Sequence, residues 1–291
     1  MIFKGSGVAL VTPFNSKNEV DFYELKKLIE FQIASRTKAI IILGTTGESA
    51  TISAEERTKI IKFCVGQVSN RVPVIVGTGS NSTKLAISQT KEAEKLGADG
   101  VLVVTPYYNK TSQEGLFLHY KAIAKATKLP IIVYNVPSRT GLNISPETLY
   151  KLTKLKNIVG FKDAGGNISQ SIKLLSMMPK GFALYSGDDL ITYPLMCMGY
   201  SGVISVTANA YPTLVSSLTE SVLDRNFENA LRIHKYLYKI NTALFLEVNP
   251  MCIKFYMNLL GKNVGQPRLP LTNLSKETQK ILTELRKEYE N

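Results

Sequence analysis

Lys162 closes an apolar run, Ile158-Val159-Gly160-Phe161, and is followed at once by Asp163-Ala164-Gly165-Gly166. Buried strands rarely tolerate an ammonium, so a lysine at the carboxyl end of one either reaches out into water or aims an amine into a pocket, where it can become a nucleophile. The segment alone does not choose between these. Three other segments carry groups that would serve such an amine: Gly44-Thr45-Thr46-Gly47-Glu48-Ser49, Thr105-Pro106-Tyr107-Tyr108-Asn109 and Tyr134-Asn135-Val136-Pro137-Ser138-Arg139-Thr140-Gly141. Each has an ordinary reading as well. Gly44 and Gly47 can simply shape a turn, Tyr134 can be a core tyrosine, and Arg139 can pair with a surface acid. Taken together they suit Schiff-base chemistry on a 2-oxo acid. A desolvated lysine loses its proton below its usual value of about 10.4 and adds to a ketone, giving an iminium that acts as an electron sink. Tyrosine hydroxyls can carry the protons, N–H groups of a glycine-rich turn can hold one carboxylate, and an arginine can grip a second bidentately.

These residues cooperate only if the chain brings them to one face. Short β-branched runs recur at 7–14, 39–44, 72–79, 100–106, 130–135, 158–163, 182–188 and 202–207, which predicts eight strands. Amphipathic stretches at 21–35, 54–67, 83–96 and 114–127 predict helices returning antiparallel to them. Ser53 with Glu56 and Thr111 with Glu114 have capping-box spacing, and Ser145-Pro146 places proline at a first helical position. Strands apolar on both faces and alternating with helices indicate a parallel sheet, most economically closed as a (β/α)8 TIM barrel, an α/β fold. A doubly wound open sheet is the alternative, disfavoured because no strand leads into a G-x-G-x-x-G turn. In a barrel the carboxyl ends of all strands meet on one face, where the three segments and Lys162 would converge. Beyond about residue 222 the strand signal stops and helical stretches follow at 226–245, 249–260 and 275–290. The expected organisation is a catalytic barrel over 1–224 and a C-terminal helical region over 225–291, which covers the barrel or supplies a subunit contact.

Composition bounds the function class. Hydrophobic residues at 44% and charged residues at 20% fit a folded globular chain rather than a disordered one. The formal net charge of +12 raises the question of nucleic acid, but Lys and Arg recur at helical spacings with acids mixed among them and without a basic run interleaved with aromatics. A solvated surface is the better reading, and no nucleic-acid partner is expected. Cys64, Cys197 and Cys252 match no zinc or redox spacing, which suggests reduced thiols and a cytoplasmic protein. The start lacks the features of a signal peptide, and no segment is apolar over a membrane-spanning length. His119 and His234 lack carboxylate or histidine neighbours at ligand spacing and read as packing or surface residues, so neither a metal site nor a cofactor is expected.

The three segments, with Gly187-Asp188-Asp189 and Gly202-Val203-Ile204-Ser205-Val206, resemble the dihydrodipicolinate synthase family of the N-acetylneuraminate lyase superfamily, and the likeness runs almost end to end. The resemblance implies condensation of pyruvate with L-aspartate 4-semialdehyde, the first committed step of the diaminopimelate route to lysine. It implies a Schiff base between Lys162 and pyruvate, a carboxylate held by Thr45 and Thr46, and a proton relay of Tyr134, Thr46 and Tyr108. Arg139 would bind the semialdehyde carboxylate, while Gly187 and the Ile204 carbonyl would line the pyruvate pocket. In the family the last tyrosine comes from a neighbouring subunit, so the resemblance implies at least a dimer, commonly a homotetramer built as a dimer of dimers. Lysine-inhibited members bind lysine at the tight-dimer interface, where Ser49, Ala50, Asn81 and Tyr107 match the pattern. Ala54, Arg57 and Leu85, however, stand where those members have histidine, histidine and glutamate. Losing that acid removes a charge-assisted bond to the lysine ammonium, so weak or absent feedback inhibition is expected. Two rivals remain. N-acetylneuraminate lyases and 2-keto-3-deoxy-sugar-acid aldolases share the lysine and Tyr134, but usually lack Tyr107-Tyr108 together with Ser138-Arg139-Thr140-Gly141. A barrel that binds an anionic partner without catalysis would use Lys162 only as a charge.

Overall fold

Every predicted strand segment contributes one strand to a closed parallel barrel in the computed structural model, which describes residues 1–290. The strands are β1 (Gly5–Ala9), β2 (Ala39–Ile42), β3 (Val74–Gly77), β4 (Gly100–Val104), β5 (Ile131–Asn135), β6 (Ile158–Asp163), β7 (Ala183–Ser186) and β8 (Gly202–Ser205). They pair in chain order, and β8 closes on β1. Helices fill the intervals, so the expected TIM barrel is what forms. Alternation along each strand separates two cores. Ile132 and Tyr134 join Ile41, Ile75, Leu102, Tyr185 and Ile204 inside the barrel, while Ile131 and Val133 pack outward against the helices. Phe3, ahead of β1, stacks on Tyr185 with ring centroids 4.4 Å apart.

One irregularity matters for chemistry. Ile131 pairs with Ile158, but Ile132 pairs with Gly160, so β6 carries an extra residue at Val159. From there Tyr134 stands opposite Lys162, and Lys162 opposite Tyr185. Phe161, which an unbroken register would set opposite Tyr134, is instead fully buried in the outer core.

Boundaries differ from expectation where local chemistry intervenes. β1 begins at Gly5 and stops at Ala9; beyond it the Val11 N–H donates to Asn209 Oδ1 and Phe14 makes only an isolated antiparallel bridge to Val20. β2, β3, β4, β7 and β8 end two residues before the expected position, while β5 and β6 end where expected. The helix Gln113–Lys125 is capped by Ser112, which accepts from Gly115 N, rather than by Thr111; the Thr111 hydroxyl packs where a Cβ on Gly115 would lie. The Ser53–Glu56 capping box and the Ser145 cap with Pro146 in the first turn form as expected. In the last segment the helices are Phe227–Ala243, Met251–Leu259 and Lys276–Glu290. Asn249 does not start the second of these. No helix among the described residues is long and apolar enough to cross a membrane.

His119 lies buried on the helix Gln113–Lys125, its Nδ1 2.9 Å from Thr83 Oγ1 and its Nε2 without a partner. Burial pulls its pKa down to about 4. Between pH 6.5 and 4 the unfolded chain therefore takes up a proton that the folded chain refuses, and stability falls as pH falls through that window. His119→Gln should remove this component. Urea unfolding at pH 7 and pH 4 should show a loss smaller in H119Q than in the unmodified chain by about 3 kcal/mol.

Candidate active site

The threonine pair sits in the loop after β2, and that loop is fixed by its own backbone and by distant side chains. Gly47 N donates to Gly44 O, Glu48 N to Thr45 O, and Thr12 Oγ1 to Gly47 O at 2.7 Å. Gly77 on β3 permits the close approach, since a Cβ there would lie 2.1 Å from Leu43 O. Glu48 takes a left-handed conformation, φ 56°, and turns its carboxylate inward. There Oε1 accepts from Lys254 Nζ at 2.8 Å and Oε2 from Arg268 N at 2.8 Å. Lys254 is 0% exposed and spends its other two protons on Thr12 O and Gln266 O. Burial pushes its pKa down to about 8, with Glu48 opposing the shift.

Thr46 is buried, and its Oγ1 accepts from Asn249 Nδ2 at 2.9 Å. Arg139, on the short helix Pro137–Thr140 after β5, donates from Nη2 to Asn249 O at 3.0 Å. Thr45, Tyr134, Arg139 and Asn249 all line one cavity of about 560 Å³ at the carboxyl ends of the strands. Lys162 is 6% exposed, with Nζ 4.4 Å from the centroid of the Tyr134 ring. Its stem runs beside Gly187, where a Cβ would come 3.0 Å from Lys162 Cε, and Gly187 N donates to Asp163 O at 2.7 Å. Asp163 accepts from Tyr200 OH and Ser171 Oγ, which fixes the end of β6. Ile204 is fully buried on β8, whose end is held by the buried Asp189 carboxylate accepting from Val206 N and Thr207 N.

The remaining predicted residues divide. Tyr108 is 91% exposed at φ 69° and does not line the cavity. Ser49, Ala50 and Tyr107 line its outer part together with Arg57 and Leu85, whereas Asn81 does not, its carbonyl accepting from Asn109 Nδ2. Arg57 is buried and donates to Gly77 O at 2.9 Å, with Nε 3.6 Å from Glu92. Burial pulls its pKa to about 10, and Glu92 resists. Among the described residues no group of three or more His, Cys, Asp or Glu side chains could hold a metal ion. Asn249 and Lys254 were not singled out from sequence. An asparagine before a proline reads as a helix start, and a lysine within an apolar helix carries no mark of its partner 206 residues away.

A model of the dihydrodipicolinate synthetase family matches residues 2–288. The chain belongs to this family. A relative from Citrifermentans bemidjiense, named 4-hydroxy-tetrahydrodipicolinate synthase, is 51% identical over 288 residues, 99% of each chain. The crystal structure of dihydrodipicolinate synthase from Aquifex aeolicus superposes with a TM-score of 0.97 at 43% identity, covering 99% of this chain and 98% of its own. A chloride-inhibited family member from Acinetobacter baumannii, crystallised in complex with pyruvate, matches with a TM-score of 0.96 at 42% identity over 99% of both chains.

A buried charge pair ties the loop after β2 to the helix Met251–Leu259, and removing one partner should be costly. Lys254→Met strands the Glu48 carboxylate and should destabilise the fold by about 3–5 kcal/mol in denaturant unfolding. The double variant with Glu48→Gln should recover part of that loss, because no uncompensated charge remains.

Proposed function

We propose that the chain is a 4-hydroxy-tetrahydrodipicolinate synthase that joins pyruvate to L-aspartate 4-semialdehyde through a Schiff base on Lys162. The observation that carries this reading is the buried Lys162 amine against the ring of Tyr134, which itself faces the cavity holding Thr45 and Arg139. One amine, one phenol and two sets of anion-holding donors suffice for the chemistry. Backbone N–H groups and hydroxyls of Thr45 and Thr46 hold the pyruvate carboxylate, which leaves C2 facing the amine. The neutral Lys162 amine adds to C2, the carbinolamine expels water with a proton from Tyr134, and an iminium forms. The deprotonated Tyr134 takes a C3 proton to give the enamine, whose C3 adds to the semialdehyde aldehyde carbon while the new alkoxide takes a proton from Tyr134. The semialdehyde's own amine then attacks C2 and releases Lys162. Arg139, 3.0 Å from the Asn249 carbonyl, fixes the semialdehyde by its carboxylate. Gly187 leaves room for the lysine stem, and the Ile204 carbonyl borders the pyruvate pocket.

Tyr108 completes the relay of Tyr134 and Thr46 from a second copy of the chain. Its near-complete exposure supports that reading, because a relay tyrosine turned away from its own cavity can serve only a neighbour's. The working unit is then a dimer at least, assembled as a tetramer of two such dimers, in the cytoplasm, with the 225–291 segment as its accessory helical region. Arg139 favours the synthase over the sugar-acid aldolases, whose substrates offer no second carboxylate for it to bind.

Borohydride reduction with pyruvate should leave a reduced adduct on the peptide carrying Lys162 and none in Lys162→Ala, as read by mass spectrometry. An unmodified peptide in the unaltered chain would sink the Schiff-base reading. Tyr134→Phe should lower kcat on the order of 100-fold. Assays with long 2-keto-3-deoxy-sugar acids should show no comparable cleavage. Arg57 and Leu85 place a cation and an apolar side chain in the outer cavity, so activity should be retained at submillimolar L-lysine; strong inhibition there would overturn this expectation.

A further inference from the structure

We propose that the same amine releases CO2 from 3-carboxy-2-oxo acids, of which oxaloacetate is the smallest; this rests on the Schiff-base reading of Lys162 above. A carboxylate on the carbon next to an iminium can leave as CO2, because the positively charged nitrogen takes up the electron pair of the broken bond. Its surroundings decide whether it leaves. A carboxylate that keeps its water or meets a cation is stabilised before the bond breaks, whereas one set against apolar surface loses that stabilisation and departs as an uncharged molecule.

The wall around Tyr134 is apolar. Tyr134 belongs to the inner core with Leu102 and Val136, Val104 packs against that core, and all four line the cavity of about 560 Å³. Glu48, Arg57 and Arg139 are the charged residues of the lining among the described residues. Glu48 gives its carboxylate to Lys254 Nζ and Arg268 N. Arg57 donates to Gly77 O, and its Nε lies 3.6 Å from Glu92. Arg139 is read as holding the semialdehyde carboxylate, which three carbons separate from pyruvate C3 once the new bond has formed. A carboxylate bonded directly to C3 falls short of that position and rests on the apolar wall instead. The steps balance with groups already in the site. Lys162 Nζ adds to C2, and water leaves with a proton from Tyr134, which regains one from solvent. The C3–C4 bond then breaks, its electron pair becomes the C2–C3 double bond of the enamine, and the nitrogen loses its charge as CO2 departs. C3 takes a proton from Tyr134, and water hydrolyses the resulting iminium to pyruvate and the free amine, returning the proton to Tyr134. The sum consumes one proton and yields pyruvate and CO2.

The test supplies oxaloacetate to the full-length chain without semialdehyde, with a chelator present to suppress decarboxylation by stray metal ions, and follows CO2 and pyruvate. Both should form in equal amounts, on the order of 100-fold faster than in protein-free solution. Lys162→Ala should fall to the protein-free rate. Should that variant not fold, the unaltered chain whose Lys162 has first been reduced with pyruvate and borohydride takes its place and should likewise lose the reaction. Arg139→Ala should lose synthase turnover while CO2 release persists, because the departing carboxylate does not use the guanidinium. Release at the protein-free rate in the unaltered chain overturns the proposal. So does release that survives the blocking of Lys162, or that falls in Arg139→Ala as far as synthase turnover does. A borohydride adduct of pyruvate on Lys162 without CO2 release from oxaloacetate sinks this inference alone, whereas absence of that adduct sinks the Schiff-base reading with it.

Discussion

The register between β5 and β6 is the constraint on which the site depends. A strand alternates its side chains between the two faces, so a one-residue slip exchanges everything that points in for everything that points out. The extra residue at Val159 makes that slip within β6. It sends Phe161 into the outer core and sets the Lys162 amine beside Tyr134 inside the barrel. The bulge thus turns the Lys162 side chain toward the Tyr134 ring, while the same strand keeps its aromatic in the dry layer beneath the helices. Asp163 holds the shifted end through Tyr200 and Ser171, and the glycine at 187 leaves the lysine stem its space.

A second constraint comes from the far end of the chain. The Gly44–Glu48 loop would be a mobile rim if it rested only on its own turns. Glu48 instead carries its carboxylate under the loop to a lysine with no solvent exposure, whose three protons are all accepted. Buried ion pairs add little net stability over apolar packing, but they tolerate only one geometry. Here that geometry ties the threonine loop to the segment bearing Asn249, which in turn touches Thr46 and Arg139. The helical segment after the last strand therefore belongs to the wall of the cavity, although by pattern alone it reads as a cover or a subunit contact.

Legibility in the sequence followed the physics of each signal. Strand number and order were readable because strands buried on both faces are near-continuous apolar runs, and helix starts because capping needs particular side chains. The Thr111 cap failed by one position, since Ser112 and Thr111 are equally able to cap and only packing over Gly115 chooses between them. Strand ends were overextended at the carboxyl side by five residues at β1 and by two at β2, β3, β4, β7 and β8, where the chain runs on from the ladder into a loop without a break in direction that the sequence marks. Asn249 escaped notice because its role depends on a contact across 203 residues.

The sequence by itself determined the barrel, the face on which Lys162, Tyr134, Arg139 and the threonine pair meet, and the class of chemistry those groups can perform. These follow from local periodicity and from the rule that parallel strand ends converge on one side. Tertiary structure alone decided that Lys162 rather than Phe161 faces Tyr134, that Tyr108 turns away from its own cavity, and that Asn249 and Lys254 hold the threonine loop. Each of these is a long-range geometric outcome, set by register and by packing between segments whose spacing along the chain carries no trace of their contact.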